Sequence, residues 1–331
     1  RGCPGTLVTR AAAARRGRPR YGVSMKNSQL PSHARVVKAH GAGNSFVVAT
    51  DRFDDYDPSE AEVATLCSPA FGIGADGFIR AVERDGMWFM DYRNADGSKA
   101  EMCGNGVRVF VDHLRREGLV DLPVGATLDV ATRGGIKRVT PEVDDEGAGV
   151  RYRVDMGAAA SPARETIAVR IPGIEGVLGG IWVDMPNPHT VVELADEETL
   201  RAVFLPTVDV SMIPPAARPS YDPAPEAGTN LELVVDLTQS GQEQGHIAMR
   251  VLERGVGETQ ACGTGCCAAA LATALRRGPG APTQWRVDIP GGTVTVGLDD
   301  VIDWSGETPR ITDASVFLTG PATRVADIRL S

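Results

Sequence analysis

The chain has 331 residues, a formal net charge of −9, 42% hydrophobic and 23% charged residues. That length accommodates one large domain or two ordinary ones with a real core. The acidic balance argues against a general nucleic-acid or anionic-membrane surface, and no run of about 18 apolar residues offers a membrane helix.

Residues 1–34 are basic and rich in Pro and Gly, without an apolar segment. They read as a flexible extension; the Arg-rich, acid-poor composition fits a targeting peptide only loosely, and a secretory signal poorly. From Val36 the pattern changes. RVVKAHGAGNSFVVATD predicts strand, glycine turn, strand, and the stretch after Pro58-Ser59 predicts a helix running to the glycines of GIGADG. GFIRAV and MWFMDYRNADG predict a hairpin pair. In GNGVRVFVDHLRREG, Val107, Phe110, Val111 and Leu114 recur at helical spacing and Gly118 stops the helix. TLDVATRGG and RYRVDMG predict short strands. The second half follows the same order of elements. It has strand–turn–strand in GGIWVDMPNPHTVVEL, a short helix in ADEETLRAVF, and strands in NLELVVDL and HIAMRVLERG. An Ala-rich helix in GTGCCAAALATALRRG, a hairpin over Gly291-Gly292 and a last pair of strands in SVFLTGPATRV complete it.

The repetition reaches single residues. GNSFVV around Asn44 matches PNPHTVV around Asn187, and EMCGNG around Cys103 matches QACGTG around Cys262. Two copies at this spacing point to a duplicated unit. From that we infer pseudo-twofold halves facing one cleft. A cysteine just before Gly-x-Gly at a helix start meets N–H groups without intrahelical partners and about half a positive charge. Both favour a thiolate and pull its pKa from roughly 8.5 towards neutrality. The same N–H groups can hold a carboxylate. Two opposed sites of this kind suit inversion of a stereocentre beside a carboxylate: one thiolate removes a proton from one face while a thiol supplies its replacement on the other.

Bland readings stand beside this one. Cys67, Cys266 and Cys267 read as small buried hydrophobes, and Asn44, Asn94, Asn187 and Asn230 could simply occupy turns. His189 reads equally as a core histidine or as a group near the sulfurs. His40, His113 and His246 look like ordinary strand or helix residues. A Cys103–Cys262 disulfide is the structural competitor. Six cysteines without CxxC or Cys/His zinc spacing fit neither a disulfide scaffold nor a metal site, so no metal and a reduced, cytoplasmic setting are expected. GAGN and GIGADG lack the context of nucleotide-binding loops. A pyridoxal-dependent racemase needs a Schiff-base lysine; only Lys26, Lys38, Lys99 and Lys137 exist, against 30 arginines.

HGAGNSF, GIGADG, NADGSKAEMCGNGVR, PNPH and ERGVGETQACGTG together resemble diaminopimelate epimerases, from about Val36 onward. Proline racemases share the cysteine pair, but a His would be expected after the first Cys-Gly where Asn105 follows Gly104 here, and ERGxGET would be absent. The resemblance implies an α/β (α+β) fold of two pseudo-symmetric halves, each a curved, mostly antiparallel sheet wrapped around a central helix. The expected division is 35–156, with a strand over 317–331 returning to it, and 157–316. It implies a homodimeric, cofactor-independent enzyme interconverting LL- and meso-diaminopimelate in lysine and peptidoglycan precursor synthesis, with a small amino-acid dicarboxylate as its partner and neither nucleic acid nor membrane. Cys103 and Cys262 would be the acid/base pair, supported by His189 and Glu253. Asn44, Asn94, Asn187, Asn230, Glu253 and Arg254 would bind substrate, with backbone amides at Gly104, Asn105, Gly263 and Thr264 on the reacting carboxylate. Ser45 replaces a usual Asp, Pro186 a usual Gly, and Ser68-Pro69-Ala70 usual basic residues, so another amino acid could be the substrate, and Ser45 could loosen the Asn44 turn. A non-catalytic amino-acid-binding or redox-sensing relative is the remaining alternative.

Overall fold

The computed structural model describes residues 30–31, 33–144, 149–161 and 166–331. The expected flexible extension over 1–34 therefore lies almost wholly outside the described residues.

The first half opens with strands Arg35–Gly41 and Asn44–Thr50, paired antiparallel through a two-residue turn. Ala42 and Gly43 both take positive φ (50° and 82°), the backbone that lets a hairpin follow the natural twist of its strands. Helix α1, Glu60–Cys67, starts at Ser59, whose hydroxyl accepts the Glu62 N–H. Gly77–Arg84 lies parallel to Asn44–Thr50 and antiparallel to Met87–Asn94. Helix α2, Gly104–Arg116, follows. A meander of Leu128–Thr132, Gly135–Val143 and Val150–Ala158 completes this half.

The second half repeats the plan. Leu178–Asp184 and Pro188–Glu193 form the hairpin, and helix α3 spans Glu197–Ala202. Asn230–Asp236 lies parallel to Pro188–Glu193 and antiparallel to Gln244–Glu253. Helix α4, Gly263–Arg277, precedes the hairpin of Gln284–Ile289 and Gly292–Gly297.

Periodicity predicts a one-sided α2, and Val107, Phe110, Val111 and Leu114 are indeed fully buried. Yet every residue from Gly104 to Leu114 is buried, as is nearly all of α4 to Ala274. A helix buried on all sides needs a sheet curved around it. The main hydrophobic cluster accordingly runs through both helices and the strands of both halves.

The strand pair expected in SVFLTGPATRV is two strands that do not pair with each other. Ser315–Pro321 pairs with Val150–Ala158 of the first half and Gly292–Gly297 of the second. Thr323–Arg329 instead pairs antiparallel with Arg35–Gly41. Pro321, lacking an N–H, stands at the parting of the two. Gly135–Val143 also escapes a simple reading, because it is half-exposed and carries Lys137, Arg138 and Pro141.

Candidate active site

The two halves meet where α2 and α4 begin. A β-carbon placed on Gly263 would stand 3.5 Å from the Gly104 Cα, so the two helix ends abut. Beside them the hairpin tips interlock. A β-carbon on Gly43 would lie 2.8 Å from the Gly291 Cα, and one on Gly291 would lie 1.9 Å from the Ala42 carbonyl oxygen. Only glycine fits this approach.

Cys103 is the N-cap of α2, its sulfur accepting the Gly106 N–H at 3.4 Å and lying 3.5 Å from Asn44 Oδ1. Cys262 is the N-cap of α4, with its sulfur 3.5 Å from Thr264 Oγ1. Both are free thiols, as are the buried Cys67, Cys266 and Cys267. The first N–H groups of each helix, at Gly104, Asn105, Gly263 and Thr264, have no intrahelical acceptor. Asn105 ties the halves together: its amide nitrogen donates to Asn44 Oδ1 at 3.4 Å and to the Ala261 carbonyl at 3.3 Å.

The asparagines gather as expected at strand ends. Asn94 closes its strand, with its amide donating to Ser98 and its oxygen accepting from the Tyr92 hydroxyl. Asn230 opens its strand and accepts the Arg254 N–H at 2.9 Å. Asn187 Oδ1 lies 3.1 Å from His189 Nε2. The Arg254 guanidinium, exposed, donates to the Ala227 carbonyl. Ser45 does not loosen the Asn44 turn. Its N–H and hydroxyl both donate to Asp76 Oδ2, at 2.7 and 3.0 Å, and the Asn44 amide joins them at 3.3 Å.

Glu253 is the neighbour the two sulfurs share, its charge opposing ionisation of each. Thr259 donates to its carboxylate, and burial raises its pKa, with nearby Glu232 adding to the rise. His189 is fully buried, with Nδ1 2.7 Å from Glu232 Oε1.

One expectation needs correction. The helix ends do not bring the thiols towards neutrality. Burial pushes Cys103 up to about 11, and the amides of Gly106 and Asn105 offset only part of that. Cys262 is raised as well, by burial joined by the charges of Glu253 and Glu232. Here the desolvation of the thiolate exceeds what helix-end N–H groups return.

Asp76, Thr259, Tyr92, Glu232 and Arg108 were not singled out as site residues. A signal existed for two. Glu232 sits between Leu231 and Leu233 in a strand buried from Asn230 to Val235, and Arg108 interrupts the apolar run from Val107 to Val111. Asp76 reaches the site by a chain crossing that no local pattern encodes, while Tyr92 and Thr259 stand two and six residues from Asn94 and Glu253. Among the described residues no three His, Cys, Asp or Glu side chains form a metal-binding group. Two surface cavities of about 360 and 350 Å³ lie elsewhere, one against Arg151, Arg153 and Gln284, the other against His113 and Glu117.

The profile of the diaminopimelate epimerase family matches residues 36–161 and 181–325. The chain belongs to the diaminopimelate epimerase family. A diaminopimelate epimerase of Streptomyces coelicolor is 39% identical over 317 residues, covering 90% of this chain and 96% of the relative. One from Rhodococcus opacus is 41% identical over 283 residues, covering 79% and 89%. Solved structures place the fold in wider company. A phenazine biosynthesis protein of the PhzF family from Bacillus anthracis superposes with a TM-score of 0.60 at 15% identity, covering 91% of this chain and all of that one. A hydroxyproline epimerase from Agrobacterium vitis gives 0.56 at 14% identity, covering 91% of each chain. At such identities these two share the architecture of repeated halves, while the family assignment rests on the sequence relatives.

Proposed function

We propose that the protein is a cofactor-independent epimerase that interconverts LL- and meso-2,6-diaminopimelate, on the route to lysine and peptidoglycan precursors. The observation that carries the reading is the pair of cysteine N-caps on abutting helices with Glu253 common to both sulfurs. The substrate's reacting carboxylate sits against the free N–H groups of both helix ends, which stabilise the charge that develops on it. One sulfur, as thiolate, takes the α-proton; the C–H electron pair moves into the carboxylate. The opposed thiol then delivers its own proton to the other face, so the sulfurs exchange protonation states and nothing is oxidised. Glu253 and His189 support the proton's passage. Asn44, Asn94, Asn187, Asn230 and Arg254 hold the substrate's amino and carboxylate groups, Arg254 suiting a carboxylate by its forked donors.

Ser45 keeps the Asn44 turn closed through Asp76, which supports the same substrate despite the sequence departure. A homodimer working in a reducing cytoplasm is the setting we propose with it; sedimentation velocity measures the first. The deciding experiment incubates the protein with LL-diaminopimelate in D₂O under reducing conditions. Deuterium should enter the reacting α-carbon alongside formation of the meso isomer. Exchange into other amino acids but not diaminopimelate would overturn the substrate, and no exchange into any would overturn the chemistry.

A further inference from the structure

The position five residues beyond each catalytic cysteine differs sharply. After Cys103 it is Arg108; after Cys262 it is Cys267. Arg108 is fully buried, and among the described residues it forms no ion pair with any carboxylate. Its guanidinium curls back to the start of α2, where Nη2 donates to Asn105 Oδ1 at 2.8 Å and Nη1 to the Gly104 carbonyl at 3.3 Å. Nε donates to the Pro321 carbonyl at 3.4 Å. A buried cation served only by neutral oxygens is costly unless an anion nearby completes it.

We propose that Arg108 is a positioning residue that acts through Cys103, making Cys103 rather than Cys262 the sulfur that ionises first. Around Cys103 the charged and titratable groups are Arg108 from its own helix, Glu253 from Gln244–Glu253 and Tyr92 from Met87–Asn94. Around Arg108 they are Cys103, Cys266 and Cys267 of α4, and Arg151 of Val150–Ala158. Cys262 faces the opposite balance, with Glu253 and Glu232 both beside it. A β-carbon on Gly265 would lie 2.8 Å from Glu232 Oε1 and 3.3 Å from the Cys262 sulfur, which puts that buried carboxylate under the first turn of α4. With Glu253 common to both, the duplicated helix starts are thus made unequal by a cation behind one and Glu232 beneath the other. A coupled pair of like groups then loses its first proton from a defined member.

The proposal rests on the two-sulfur reading above but is tested without substrate. The full chain, reduced, is alkylated with iodoacetamide between pH 7 and 10, and each cysteine is followed by peptide mass spectrometry. In the wild-type protein the pH dependence of Cys103 should lie at least about one pH unit below that of Cys262. In Arg108→Met, Cys103 should react about tenfold more slowly at pH 8, while Cys262 stays within about twofold. A folded Arg108→Met protein with an unchanged Cys103, or with both sulfurs shifted together, would overturn it by showing that Arg108 only braces the helix start. Should that variant fail to fold by circular dichroism, Arg108→Lys keeps the charge: Cys103 ionising first supports the proposal, and Cys262 ionising first sinks it. If deuterium exchange with diaminopimelate fails while this order of ionisation holds, the substrate assignment falls and the role of Arg108 stands.

Discussion

Helices α2 and α4 start from nearly the same phrase, Cys103-Gly104-Asn105-Gly106 and Cys262-Gly263-Thr264-Gly265, and both are buried to within a turn of their ends. Beyond the phrase they part. Helix α2 carries Asn105, Arg108, Asp112 and His113 into the core of the first half. Helix α4 carries alanines, Cys266, Cys267 and Leu271, with Thr273 bonded back to the Ala269 carbonyl. Asp112 in α2 receives the Tyr152 hydroxyl at 2.7 Å and the Arg116 guanidinium, and His113 Nε2 lies 2.8 Å from Thr50 Oγ1 while its buried Nδ1 has no hydrogen-bond partner among the described residues. The two helix starts thus share a sulfur and a set of free N–H groups, while the rest of each helix follows its own packing.

The comparison can be broken first at the sulfurs. Cys103→Ala and Cys262→Ala should each lower solvent-deuterium exchange by about a thousandfold or more, since either face loses its only proton carrier. One variant near full activity would end the equivalence of the two helix starts. Because both thiols are raised by burial, the wild-type rate should climb from neutral pH into the alkaline range.

The polar interior of α2 gives the next largest effect. Burial lowers His113 from 6.5 to about 4, with Arg324 and Arg35 opposing its protonation and Glu117 and Asp112 favouring it. Folding thus favours the neutral ring. That stability is present above pH 6.5 and is lost as pH falls towards 4, by about 3 kcal/mol at most. Urea midpoints from pH 7 to 4 should show this loss, and His113→Asn should flatten it. Helix α4 has Ala272 at the corresponding place, so nothing in it should titrate there.

A smaller change sharpens the seam between the halves. Gly291→Ala puts a methyl into the Ala42 carbonyl and should cost about 2 kcal/mol as the hairpin tips separate. It should raise KM as well, because Gly291 N–H holds the Gln260 carbonyl two residues before Cys262. Ser45→Ala is the mildest. It removes one hydroxyl from Asp76 and leaves the Ser45 N–H and the Asn44 amide in place, so thermal denaturation should register less than about 1 kcal/mol.

Much of this site is legible in the amino-acid sequence because its key residues are helix caps and turn residues, whose chemistry is local. Cys103, Cys262 and the four asparagines announce themselves through the glycines and strand ends beside them. What local pattern cannot supply is the dielectric. The thiols looked activated from their helix positions, and only the closed core shows that desolvation prevails. Nor can it supply partners brought in from afar, as Asp76 is to Ser45 and Glu232 to His189. Pairing order is equally hidden: SVFLTGPATRV reads as neighbours, while its two strands serve different parts of the sheet.

That last strand has a consequence for synthesis. The outer partner of Arg35–Gly41 is Thr323–Arg329, and the bond between Arg35 and Asp327 spans 292 positions. The sheet around α2 thus lacks a member until Thr323–Arg329 has been translated. During those seconds on the ribosome the nascent first half must wait with an open edge, and any truncation before Thr323 would leave that edge bare for good.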